Sequence, residues 1–141
     1  MAVLFYAVLK VEGDILIDLD KIDLAIKTFK CLKDQCDKWQ GMDRLKMKTY
    51  EQIAVCYRMN EKNNLAIMYF KKALQYAYFL NDDIAEIAYY ELIARSNMDA
   101  GQPQKMKQYH ERAFTAILDP ADGIGRLNAK MYLKSKKERI W

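Results

Sequence analysis

The feature that most constrains the fold of this 141-residue chain is an internal repeat with a period of 40 or 41 residues. Its clearest copy covers residues 50–73, and stepping back 41 residues or forward 40 again brings small residues to the same positions. In the first segment of the copies these are Gly13, Ala54 and Ala94, and in the second segment Ala25 and Ala66. A repeat of this length is typical of stacked helix pairs, because one pair cannot bury its apolar face alone.

The apolar residues inside each segment follow helical periodicity. Tyr50, Ile53, Ala54 and Tyr57 fall at i, i+3, i+4 and i+7, so they form one apolar stripe. The breaks between segments supply cap residues, two glycines that stop helices and a proline suited to a first turn: Asp20, Asn60, Asp82, Gly41, Gly101 and Pro103. The predicted helices cover residues 2–18, 21–39, 42–59, 62–80, 83–99 and 103–117, and a seventh, basic helix is predicted from about 126.

The small residues on apolar faces have a geometric explanation. Two antiparallel helices approach closely only where their side chains are nearly absent, so we expect Ala54 to meet the neighbourhood of Ala66. Larger residues beside them then fill the space between successive pairs.

This pattern resembles the tetratricopeptide repeat (TPR) family. The residues that match its seven positions in type are Tyr50, Ile53, Ala54, Tyr57, Ala66, Phe70 and Ala73. The period exceeds the usual ~34 residues, as in long-period members of the family. The third copy departs from the pattern at Asn97, Met106 and His110, and the first copy at Glu12 and Leu32. The resemblance implies an all-α, right-handed solenoid of three antiparallel helix pairs over residues 1–118, followed by a turn and a basic capping helix or tail over 119–141.

Residues that carry catalytic chemistry are sparse. The single histidine, His110, aligns with an aromatic core position and has no obvious Cys or Ser partner, so we interpret it as a packing residue. The three cysteines lack CxxC spacing, which argues against a disulfide framework or a zinc site and favours a reducing compartment. The acidic stretch 12–23 lacks the spacing of a calcium loop, and no phosphate-binding loop is present. The sequence therefore predicts a protein that is not an enzyme and needs no cofactor or metal.

The TPR register predicts a partner-binding groove lined by the first helix of each pair. The residues placed there are Lys10, Glu51, Gln52, Val55, Arg58, Met59, Glu91, Leu92, Arg95 and Met98. Mixed charge with apolar anchors suits a partner helix or peptide, so we expect an interaction scaffold or adaptor. Its expected location is the cytoplasm, with cytoskeletal or ciliary assemblies as candidates. A simpler alternative is that Arg58 and Arg95 pair with Glu51 and Glu91 on their own helices.

The basic charge is concentrated at the C-terminal end. Residues 126–141 have a net charge of +5, while residues 1–125 have a net charge of −1. The basic residues are Arg126, Lys130, Lys134, Lys136, Lys137 and Arg139. This segment either caps the last repeat or docks on an anionic surface such as a microtubule, RNA or a membrane, which is the alternative function. No apolar run approaches the ~20 residues of a membrane span.

Overall fold

The protein is all-helical in the computed structural model, which describes residues 2–118. The six helices are α1 Ala2–Asp18, α2 Ile22–Asp37, α3 Asp43–Met59, α4 Asn63–Phe79, α5 Asp83–Asp99 and α6 Pro103–Leu118. No strand occurs among these residues. The all-α prediction is confirmed for these residues, and the six helices predicted within them are present within two residues of their expected bounds. The predicted seventh helix and the basic tail, residues 119–141, lie outside the described residues.

Four of the five connections between helices have the same backbone structure. In the turn after α3, the Lys62 N–H bonds to the Tyr57 carbonyl at 2.9 Å and the Glu61 N–H bonds to the Arg58 carbonyl at 3.0 Å. This is a Schellman motif, in which one residue with positive φ ends the helix. The equivalent residues with positive φ are Asp20, Glu61, Asn81 and Gly101. Their spacing of 20 or 41 residues gives the helices nearly equal lengths.

The start of α5 shows how the chain enters the next helix. Asp82 is its N-cap, and the Asp82 carboxylate accepts a hydrogen bond from the Ala85 N–H at 3.0 Å. The same carboxylate binds the Arg44 guanidinium at 2.8 Å, and both interactions hold the pKa of Asp82 below its usual value. One aspartate therefore caps α5 and ties it to the start of α3.

The small residues of the repeat lie in the core. Gly13, Ala25, Ala54, Ala66 and Ala94 are all buried. A Cβ atom at Gly13 would overlap the ring of Phe29, which is fully buried on α2. The small residue on α1 therefore makes room for an aromatic ring of the following helix.

Each helix packs against the next one in the chain. Hydrogen bonds and ion pairs also join α3 to α5. The Tyr89 hydroxyl on α5 donates a hydrogen bond to Glu51 on α3 at 2.7 Å. Arg58, in the last turn of α3, binds Asp99 at the end of α5 at 3.3 Å. Together with the Arg44–Asp82 pair, these contacts fix α5 beside α3 at both ends and in the middle.

The prediction for His110 is wrong. Its side chain is 60% exposed and its Nδ1 lies 2.8 Å from Oε1 of Glu91, while the preceding residue, Tyr109, is 4% exposed. One position corresponds to a rotation of about 100° around a helix. The ring of Tyr109, which is larger and more apolar, points into the core, and the imidazole of His110 remains at the surface.

Candidate interaction surface

The ten residues predicted to bind a partner lie on the odd-numbered helices α1, α3 and α5. The side chains of six of them form no hydrogen bond or ion pair with any described residue, and we call these six the odd-helix surface. They are Gln52, Val55, Met59, Leu92, Arg95 and Met98. Met59 is 54% exposed and Met98 58%, whereas Val55 and Leu92 are half-buried against the core.

The other four predicted residues bind within the chain. Lys10 pairs with Asp14 at 3.0 Å, and this hydrogen bond raises the pKa of Lys10. Glu51 and Arg58 join α3 to α5 through Tyr89 and Asp99, and Glu91 binds His110. Glu51, Arg58 and Glu91 therefore hold helices together, whereas Lys10 pairs within α1.

The alternative pairing of the arginines within their own helices is not observed. Arg58 reaches from α3 to Asp99 of α5, a residue 41 positions later in the chain. Glu91 is occupied by His110 on α6, and Arg95 is exposed. The guanidinium of Arg95 thus remains available at the surface.

The repeat relates the residues of the odd-helix surface to one another. Leu92 lies 40 positions after Gln52, and Arg95 lies 40 positions after Val55. Met59 ends α3 next to Arg58, and Met98 precedes Asp99, so the Arg58–Asp99 ion pair brings the two exposed methionines to adjacent helix ends. Both methionines are thus exposed in the last turns of neighbouring helices, and Arg95 lies three positions before Met98 on α5.

An exposed apolar stripe on α1 extends the apolar surface of the odd-numbered helices. Leu4, Val8, Val11 and Ile15 follow helical spacing and are all at least half exposed. Val11 is the position on α1 that corresponds to Gln52 in the repeat. Contiguous exposed apolar side chains of this kind are typical of surfaces that contact other molecules.

The described residues contain no group of three or more His, Cys, Asp or Glu side chains that could hold a metal ion. Within residues 2–118, no helix is long and apolar enough to cross a membrane. Cys36 and Cys56 are buried and Cys31 is exposed. Burial raises the pKa of the Cys56 thiol to about 11, which disfavours the nucleophilic thiolate.

Sequence reasoning missed a cluster of tyrosines and lysines contributed by α2, α3 and α4. Tyr57 of α3 and Tyr69 of α4 stack with their ring centroids 5.5 Å apart. The Lys30 ammonium of α2 lies 5.3 Å from the centre of the Tyr57 ring, and Lys72 of α4 lies 5.2 Å from that of Tyr69. The spacing of Tyr69 and Lys72, three positions apart on one helix, was the available signal.

No protein-family model matches the chain, and neither the search of curated proteins nor the search of solved structures found a match.

Proposed function

We propose that this protein is a non-catalytic scaffold for protein–protein interaction, built as a TPR-like right-handed solenoid of three helix pairs. In this proposal the odd-numbered helices line the concave side, and the odd-helix surface binds a peptide or helix of a partner. The cytoplasm is the proposed location, in a cytoskeletal or ciliary assembly.

The exposure of Met59 and Met98 at adjacent helix ends is the observation that supports this proposal most. Met59 is 54% exposed and Met98 58%, so a partner that covers their remaining surface gains roughly half of the 1.5–3 kcal/mol that full burial of such a side chain contributes. Arg95, exposed and unpaired with any described residue, offers planar donors to a carboxylate or to backbone carbonyls. Apolar anchors beside an arginine are the composition expected of an interaction hot spot.

The neighbouring ion pair and hydrogen bond support the same proposal. Arg58–Asp99 and Tyr89–Glu51 hold α3 and α5 together before any partner arrives. A surface held in place in this way loses little conformational entropy on binding.

The test is partner capture from native lysate by the full chain and its variants. Met59→Glu combined with Met98→Glu places two charges on the odd-helix surface at exposed positions, so we expect loss of capture with an unchanged melting temperature. Leu65→Glu combined with Met68→Glu is the matched control, because these side chains of α4 are also exposed. Equal capture by both double variants would refute the proposed surface.

Deletion of residues 126–141 separates the proposal from the alternative function. A scaffold that binds through the odd-helix surface retains its partner without these residues. Salt-sensitive binding that disappears with the deletion, and survives the Met59→Glu and Met98→Glu changes, would show that the basic segment is the binding element.

A further inference from the structure

Helix α1 is apolar on two opposite sides. On one side Tyr6 and Gly13 are buried and Leu9 packs against the core. The side chains on the other side are 51–66% exposed, and we call them the α1 stripe: Leu4, Val8, Val11 and Ile15. A helix that is apolar on both sides is typical of a helix buried between two neighbours.

The repeat shows how the same positions are used in the other odd-numbered helices. Val8 and Ile15 of the α1 stripe have equivalents 41 positions later on α3, and again 40 positions later on α5. These equivalents are at most 1% exposed, and they are Thr49, Cys56, Tyr89 and Ser96. Tyr89, the equivalent of Val8, bonds to Glu51 on the preceding odd-numbered helix. The α1 stripe therefore occupies positions at which the repeat packs one helix against another.

The α1 stripe is complementary to a second copy of itself. Its residues are four, three and four positions apart, which is the spacing of the a and d positions in a coiled-coil seam. The spacing is also symmetric about the midpoint between Val8 and Val11. In an antiparallel pair of α1 helices, Leu4 therefore lies opposite Ile15 of the second copy, and Val8 lies opposite Val11. A twofold axis relates the two helices of such a pair.

The charges of α1 favour the antiparallel arrangement over the parallel one. Residues 2–9 carry no charge, and the charged side chains of the helix are Lys10, Glu12, Asp14 and Asp18. A parallel pair would bring Asp18, at the next position of the seam, against its own copy, and like charges repel. In the antiparallel pair, Asp18 lies beside the first turn of the second copy, where the helix dipole favours a carboxylate.

We infer that the protein forms a homodimer through the α1 stripe, with the two α1 helices antiparallel across a twofold axis. The dimer covers the exposed apolar face of α1 and places the acidic half of each helix beside the uncharged half of the other. One short helix from each copy buries less than the roughly 1,200 Å² of a standard interface, so the dimer is weak and reversible.

The experiment is sedimentation equilibrium of the full chain from about 1 µM to about 1 mM, the range in which a small interface dissociates. We expect the mass to rise with concentration from one chain to two. Val8→Glu combined with Val11→Glu places two carboxylates from each copy at the centre of the seam. This double change should raise the dissociation constant at least ~30-fold, the effect of losing one hot-spot contact.

The matched control is Leu65→Glu combined with Met68→Glu on α4, because these side chains are also exposed and three positions apart. The control should leave the dissociation constant unchanged. Both double variants should keep the helicity and melting temperature of the wild-type monomer, since the substitutions are at exposed positions.

Disulfide crosslinking tests the orientation. Leu4→Cys and Ile15→Cys are made in separate chains in which Cys31, the exposed native cysteine, is replaced by Ser. Positions 4 and 15 meet in the antiparallel pair, so a mixture of the two chains should form the disulfide and either chain alone should not. Two copies of position 4 are then about 16 Å apart along the helices, whereas a disulfide needs Cα atoms within about 7 Å.

The possible results separate clearly. A single chain at every concentration, or a dimer that survives Val8→Glu and Val11→Glu, would overturn the inference, as would a disulfide formed by either cysteine variant alone. Crosslinking decides the question if the double Glu variant loses helicity, because it needs no charged substitution. The inference does not depend on the proposed scaffold function, since the odd-helix surface lies on α3 and α5.

Discussion

The hydroxyl of Tyr89 on α5 donates a hydrogen bond to the carboxylate of Glu51 on α3, with 2.7 Å between the oxygens. The two residues are 38 positions apart, so this bond joins successive helix pairs of the repeat. Tyr89 is fully buried, and burial together with the Glu51 carboxylate raises the pKa of its hydroxyl. The buried phenol therefore remains a donor and holds the two helices in register.

Tyr89→Phe should lower the free energy of unfolding by about 1–2 kcal/mol, because it removes a hydrogen bond to a charged acceptor. Urea denaturation measures the change. Tyr50→Phe is the control, since the Tyr50 hydroxyl forms no hydrogen bond with a described residue. Equal effects of the two substitutions would show that the bond between α3 and α5 contributes nothing.

Gly13→Ala should destabilise the protein by about 1–3 kcal/mol, because the added Cβ overlaps the ring of Phe29 and the buried ring has no free space to enter. The cost should shrink when Phe29 is also replaced by Leu, and a double-mutant cycle measures that coupling. Additive effects would contradict a direct contact between position 13 and the ring.

Glu61→Gly should raise the free energy of unfolding by about 1 kcal/mol, because Glu61 has a φ of 59° and a side chain makes this backbone conformation costly. Gly101→Ala provides the opposite change at the equivalent turn. Gly101 has a φ of 74°, and a Cβ atom there would meet open space. Only the backbone conformation should therefore matter, and Gly101→Ala should lower the free energy of unfolding by about 1 kcal/mol. Thermal unfolding of both variants tests the shared turn structure.

The dependence of stability on pH should show a maximum near pH 9. The pKa of Lys71 is lowered to about 8, so above pH 8 the unfolded chain holds a proton that the folded chain releases, and stability rises. Burial raises the pKa values of Cys36 and Cys56 above the ordinary 9.0. Above pH 9 the unfolded chain loses these protons first, and stability falls.

Buried tyrosines steepen this decline above pH 10. The pKa values of Tyr78, Tyr89 and Tyr90 are raised from 10.0, mainly by burial. Urea denaturation between pH 7 and 11 gives the profile, and Lys71→Met should remove the rise between pH 8 and 9 while keeping the decline. A rise that survives this substitution would contradict the assignment to Lys71.

The helices were predictable because their signals are local. Apolar periodicity, Gly41, Gly101 and Pro103 mark where helices lie and end, and these signals need no knowledge of neighbouring helices. The left-handed conformation of Glu61 was not predictable, because glutamate has no preference for it. That conformation follows from the Schellman turn that the flanking helices require.

The side-chain partners were less predictable because they depend on helix rotation. The repeat alignment placed His110 at an interior position, yet Tyr109 is buried there and His110 binds Glu91. Arg58 likewise pairs with Asp99 on another helix, whereas the sequence suggested Glu51 on the same helix as its partner. The placement of Lys71 of α4 and Arg112 of α6 over the Tyr109 ring likewise depends on how two helices meet, which no local pattern records.

Site-specific photocrosslinking tests the proposed scaffold function most directly. A benzoylphenylalanine at position 59, on the odd-helix surface, and one at position 68, on α4, replace methionines that are both exposed. The proposal predicts that a captured partner crosslinks at position 59 through a single segment of its chain. It also predicts that position 68 gives no crosslinked product. Crosslinking at position 68 without crosslinking at position 59 would contradict the assignment of partner binding to the odd-numbered helices.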